Sequence, residues 1–157
     1  LYADDLAKAG ESGASIKEKV DARRAAVQAS FVVDTMTFLH KGGRCSGIAA
    51  FVASVLRIKP SIIVSDGKMV VGKKYMGATD KAIIKYVADT LKSYPHPDLK
   101  YVFVTHTSAR PEVVAKVKEE VLAVYPDANI IETLAGATVT SHCGKGTLGV
   151  LYFNDAE

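Results

Sequence analysis

The stretch Tyr101-Val102-Phe103-Val104-Thr105, followed by a helical pattern opening at Pro111 and then by Asn129-Ile130-Ile131-Glu132-Thr133, decides the fold. Residues 101–105 are an apolar, β-branched run, too short for a helix, and fit a buried strand. Pro111 suits the first turn of a helix, where its missing N–H costs nothing, and the pattern continues to about Tyr125. Residues 129–133 are strand-like again. Strand, helix and strand in so short a span form a βαβ unit. The two strands should therefore be parallel, joined by a right-handed crossover.

Upstream, Thr79 is placed to cap a helix over residues 80–93, with an apolar face of Ala82, Ile83, Tyr86, Val87, Thr90 and Leu91. Asp66-Gly67 is a type I′ hairpin signal between strands at 61–64 and 68–75. Ser46 is read as the cap of a short helix over 47–56, in which Ile48, Phe51, Val52 and Val55 recur at helical spacing. A strand is expected at 29–35 and, before it, a helix over 16–29 capped by Ser15. Residues 2–9 read as the tail of a helix stopped by Gly10, which suggests that something precedes it. A last strand is expected at 147–153. The sum is an α/β layered sandwich with a mixed, partly parallel sheet, helices on its faces and one β-hairpin.

Composition narrows the function classes. A chain of 157 residues with 48% hydrophobic content is one domain with an ample core. The apolar runs are too short to span a bilayer, and no signal-peptide pattern opens the chain. Two cysteines, Cys45 and Cys143, make no disulfide framework, so a reduced, cytoplasmic setting is expected. No Cys/His spacing fits a metal site. The net charge of +3 is mild, and Lys68, Lys73, Lys74, Lys81 and Lys85 lack interleaved aromatics. They fit a solvated face rather than a nucleic-acid surface, with at most transient contact with an anionic membrane.

The chemistry-bearing stretch is Ala135-Gly136-Ala137-Thr138-Val139-Thr140-Ser141-His142-Cys143-Gly144-Lys145-Gly146-Thr147-Leu148-Gly149. Glycines let a ligand approach the backbone, while hydroxyls, imidazole and amides donate to an anion. It is not a nucleotide P-loop, because the first glycine of that motif would fall at Val139. Cys143 beside His142 is a poor nucleophile–base pair if the segment is extended, since neighbours then point to opposite faces. Thr105-His106-Thr107-Ser108 follows a parallel strand, where sites gather, and Ser108 is read as a helix cap. Arg44, after two glycines, either meets a carboxylate bidentately or braces its own loop. Ile48, Phe51, Val52, Val55, Ile62, Val102 and Val104 read first as core, and nothing in their spacing separates core from the lining of an apolar tunnel.

Two stretches resemble one family. Phe31-Val32-Val33-Asp34-Thr35-Met36-Thr37-Phe38-Leu39-His40-Lys41-Gly42-Gly43-Arg44 is similar to the strand-to-GGR segment of DegV-family proteins. Ser141-His142-Cys143-Gly144-Lys145-Gly146-Thr147-Leu148-Gly149 resembles that family's H-x-G-x-G-T-x-G signature. Leu56-Arg57-Ile58-Lys59-Pro60 and Asp66-Gly67-Lys68 fall between them where the family has an L-x-I-K-P segment and a hairpin. Three positions depart: Cys45 replaces an aliphatic residue, Lys145 a proline, and no arginine stands around Tyr75-Met76-Gly77. The resemblance implies a non-enzymatic fatty-acid-binding protein that presents its ligand to a separate fatty acid kinase, with a long-chain fatty acid as ligand and no cofactor. It implies ligand-binding roles for His142, Gly144, Gly146, Thr147, Arg44 and Gly43. It also implies that residues 1–28 are a helical lead-in from a missing N-terminal domain and residues 29–157 the C-terminal α/β domain. The residues by themselves leave open a small hydrolase using Cys143 or Ser141 with a histidine, a phosphoryl-transfer domain using the His142 loop, and a pure interaction module.

Overall fold

The computed structural model describes residues 1–43 and 58–156. In chain order the elements are α1 (Tyr2–Lys8), α2 (Gly13–Arg23), a 3-10 turn (Arg24–Ala26), β1 (Val27–Val32), α3 (Thr37–Lys41), β2 (Ile58–Ser65), β3 (Lys68–Met76), α4 (Thr79–Ser93), β4 (Val102–His106), α5 (Pro111–Val124), β5 (Ile130–Leu134), α6 (Ala137–Cys143) and β6 (Leu148–Phe153). The strands form one sheet in the order β3-β2-β1-β6-β4-β5. Strands β4 and β5 run parallel, as the βαβ pattern requires, and the other neighbouring pairs are antiparallel. Asp66 and Gly67 both take positive φ, 51° and 72°, the type I′ geometry that suits the twist of the hairpin. No helix among the described residues is long and apolar enough to cross a membrane.

The main core lies between one sheet face and the helices α4 and α5. Val32, Val102, Val104, Leu148, Val150 and Tyr152 meet Ile83, Tyr86, Val87, Leu91, Val113, Val117 and Val121 there. The buried face of α4 is the set its spacing predicts. Of the apolar set read as core, Val102 and Val104 belong to this cluster. Ile62 lies in a second cluster with Val33, Met36, Leu39 and Cys143. Tyr86 ties the main core to the strands: its hydroxyl donates to Ser30 O at 2.7 Å and accepts from Val150 N–H at 3.2 Å.

Several local expectations are corrected. Ser12, not Ser15, caps α2, accepting from Ser15 N–H, and the helix ends at Arg23 rather than at residue 29. The chain leaves the helix early because Gln28, Ser30 and Val32 alternate inward on β1, which therefore starts at Val27. Arg23 is held there by Asp98 and Asp155, 2.7 Å from each, between the rings of Tyr2 and Phe153. Thr79 makes no cap bond; its hydroxyl donates to Asp34. Ser108 is not a cap either. Arg110 occupies that position before α5, and Ser108 sits in a turn at φ 54°. The five lysines of the Lys68–Lys85 region are exposed, and Lys73 pairs with Asp89 at 3.0 Å. Ser46, the helix expected over 47–56 with Ile48, Phe51, Val52 and Val55, and also Arg44 and Cys45, lie outside the described residues.

Replacing Tyr86 with Phe removes a hydroxyl that is 1% exposed with its ring and leaves Val150 N–H without its acceptor. The expected cost is about 1–3 kcal/mol. Urea denaturation of wild type and Tyr86→Phe measures it, and a loss below about 0.5 kcal/mol contradicts the role given to this side chain.

Candidate functional site

The parallel pair delivers the C-terminal ends of β4 and β5 to one edge of the sheet, where α/β proteins build their sites. The Gly-rich stretch returns across that edge, and it is not extended: residues Ala137–Cys143 form α6. Gly144 ends this helix at φ 79°, a conformation that side chains disfavour, and Gly146 follows at φ 80°. Thr107, just beyond β4, stitches the turn in place. Its N–H donates to Thr147 O at 2.9 Å, and its carbonyl accepts from Gly146 N–H at 2.8 Å. Its hydroxyl donates to Gly144 O and accepts from Thr147 N–H at 3.0 Å. The sequence pattern gave no notice of Thr107 beyond its place after a parallel strand.

His142 lies on α6, half-buried, with its ring against Gly42. A Cβ added at Gly42 would stand 2.2 Å from His142 Nδ1, so only glycine allows this contact. A Cβ at Gly144 would stand 2.6 Å from the Phe38 ring of α3. Helices α3 and α6 therefore interlock through two glycines, and Gly43 follows Gly42 in the chain. Gly43 and Gly146 face open space. The amides of Gly144, Gly146 and Thr147 are already bonded within the protein, and the Thr147 hydroxyl donates to Cys143 O at 3.0 Å. The turn thus offers an incoming anion the imidazole of His142 rather than a ring of free amides. Arg44 lies outside the described residues.

Cys143 points the other way. It is 5% exposed within the cluster of Val33, Met36, Leu39 and Ile62, and burial pushes its thiol up, away from the reactive thiolate. The loop from β1 to α3 is braced at Asp34. Lys59 Nζ bonds both its carboxylate, at 2.7 Å, and its carbonyl, at 2.9 Å, and Thr79 donates to the same carboxylate oxygen. Burial raises this carboxyl, but the bonds from Lys59 and Thr79 and the Lys59 charge outweigh it and hold the group below its ordinary range.

On the sheet face opposite α4, Phe103 and Leu151 stand side by side in register. With Val27, Tyr101 and Phe153 they line an apolar groove of about 320 Å³. Along β6 this face runs from Phe153 through Leu151 to Gly149, two residues from Thr147 and the turn that follows His142.

A family model described as "Uncharacterised protein, DegV family" matches residues 1–155. Protein DegV of Bacillus subtilis (strain 168) is 32% identical over 157 residues, covering 97% of this chain and 54% of that protein. A solved structure described as DegV, a fatty acid binding protein from Bacillus subtilis, is 28% identical with a TM-score of 0.73, over 97% of this chain and 54% of that one. The Streptococcus pneumoniae Fatty Acid Kinase (Fak) B3 protein loaded with linoleic acid shares the fold, with a TM-score of 0.84 at 20% identity, over 98% of this chain and 53% of that one. The chain spans about half the length of these relatives.

The Asp34 brace has a pH signature. A carboxyl held low in the folded state contributes stability above the unfolded value, near pH 4, and loses it as pH falls through the folded value. Urea denaturation at about pH 6 and about pH 3 is expected to show wild type losing more stability than Asp34→Asn across that window. Equal losses would show that the brace contributes nothing.

Proposed function

The chain belongs to the DegV family, and from that premise we propose that it binds a fatty acid without converting it. The acyl tail lies along the apolar sheet face of Phe103, Leu151 and Phe153, and the carboxylate is met at the His142 turn. The observation that carries this reading is the seating of the His142 ring on Gly42 at the end of that face. Each methylene taken out of water contributes about 0.8 kcal/mol, so the tail supplies most of the affinity and the head group supplies orientation. Gly43, Gly144, Gly146 and Thr147 shape the rim, and Arg44 adds a cation to it. Because the turn spends its own amides internally, we further propose that a second domain completes the carboxylate site, with residues 1–28 leading in and 29–157 forming the C-terminal unit. A separate kinase is the partner that acts on the bound acid. Cys143, a free and buried thiol, fits the cytoplasm as the setting.

The alternatives rest on weaker ground. A hydrolase built on Cys143 lacks an exposed thiol, and the Ser141 hydroxyl donates to Thr138 O at 2.8 Å within its own helix.

The test uses palmitate and hexadecanol, which differ in the head group alone. Calorimetric titration of wild type and His142→Ala is expected to show palmitate bound about ten- to a hundredfold more weakly by the variant, the worth of a charge-assisted hydrogen bond. Hexadecanol should be bound equally by both. If acid and alcohol lose alike, His142 only packs on Gly42; if neither is bound even when the proposed second domain is present, the fatty-acid reading is overturned.

A further inference from the structure

On the sheet face that packs against α4 and α5, β4 presents Val102, Val104 and then His106. A third valine would fit such a site; a histidine that is 6% exposed must have its ring nitrogens satisfied. Both are. Ala109 N–H donates to Nδ1 at 3.2 Å, and Nε2 lies 3.2 Å from Glu132 Oε1 on β5. The other Glu132 oxygen meets Lys118 Nζ of α5 at 2.5 Å. A ring nitrogen that accepts an N–H carries no proton, so this geometry puts the ring proton on Nε2, which donates to Glu132.

The bond to Ala109 closes a tight turn over two residues. One is Ser108, at φ 54°, in a region that residues other than glycine seldom adopt. The other is Thr107, which makes every bond of the clamp on Gly144, Gly146 and Thr147. Strain of this kind persists only where the surroundings hold it, and the Nδ1 acceptor is the group placed to do so. We infer that His106 is a positioning residue for the ligand-binding turn: through Ala109 it holds the Thr107–Ser108 corner, and through Thr107 it sets where His142 and the rim glycines stand. The functional consequence rests on the proposed role of His142, whereas the structural step stands without it.

Three variants separate the two sides of the ring. Asn at this position keeps an acceptor in the place of Nδ1 and loses the Glu132 contact. Gln reaches the place of Nε2 and loses the acceptor, and Leu loses both. Hydrogen exchange at the amides of Gly146 and Thr147 reads the clamp with no ligand present. In His106→Gln and His106→Leu these amides should exchange about tenfold faster or more, and in His106→Asn they should stay within about threefold of wild type. Palmitate affinity is expected to follow the same order. Without any variant, the ¹⁵N shifts of the wild-type ring should mark Nε2 as the protonated nitrogen. Exchange unchanged in all three variants, or kept by Gln and lost by Asn, or a ring protonated on Nδ1, overturns the inference. If no palmitate is bound even with the proposed second domain present, the fatty-acid reading fails while the exchange order still decides the role of His106.

Discussion

The four hydrogen bonds of Thr107 are the constraint on which the site depends. Helix α6 has seven residues, too few to be stable alone in water. It exists because its C-terminal turn is fixed from outside, by the backbone and hydroxyl of a residue at the end of a buried parallel strand. Each bond contributes about 1 kcal/mol net, and more is lost if a buried partner is left unpaired. The interlock of α3 and α6 follows from this. The Phe38 ring lies against Gly144 and the His142 ring against Gly42, contacts that a Cβ at either glycine would obstruct. Sequence enters at each step as the residue whose size or backbone freedom the geometry requires.

The two sheet faces divide the work. The face under α4 and α5 is packed with valines around the Tyr86 hydroxyl, and it carries stability. The other face bears Phe103, Leu151 and Phe153 along a groove, and β6 carries this face back to Gly149, two residues from Thr147. On the proposed reading the first face holds strands β6 and β4 rigid, so that the second keeps its shape for an acyl chain. On the same reading the head group would draw on a second domain, because the turn has few amides to spare. Its glycine amides are committed to Thr107 and α6, so the turn offers side chains such as the His142 imidazole rather than free glycine amides.

Much of this was legible in the sequence because it follows from period and punctuation. The parallel pair β4 and β5, the Asp66-Gly67 hairpin and the buried face of α4 are local patterns with one physical solution. The hydroxyl residues were less legible. Ser15, Thr79 and Ser108 each stand where a cap belongs, yet a hydroxyl serves a nearby or distant carboxylate as readily as the next turn. Thr79 serves Asp34, and Ser15 serves Glu11 while Ser12 takes the cap. Helix α6 was hidden for the opposite reason: glycines and β-branched threonines disfavour helix, and tertiary bonds override them. His106 and Thr107 were visible only as residues after a strand, because their function depends on partners about 25 to 40 positions away.

The central claim is that the acid's tail and head occupy one continuous path from the open sheet face to His142. An NMR titration of the chain with decanoate tests it most directly. The account predicts saturable shifts at the His142 ring, Gly146 and the Phe103 and Leu151 side chains, with Val104 and Val117 of the helical core unmoved. Shifts gathered around Val104 and Val117 with His142 silent, or no saturable shift at all, would contradict it.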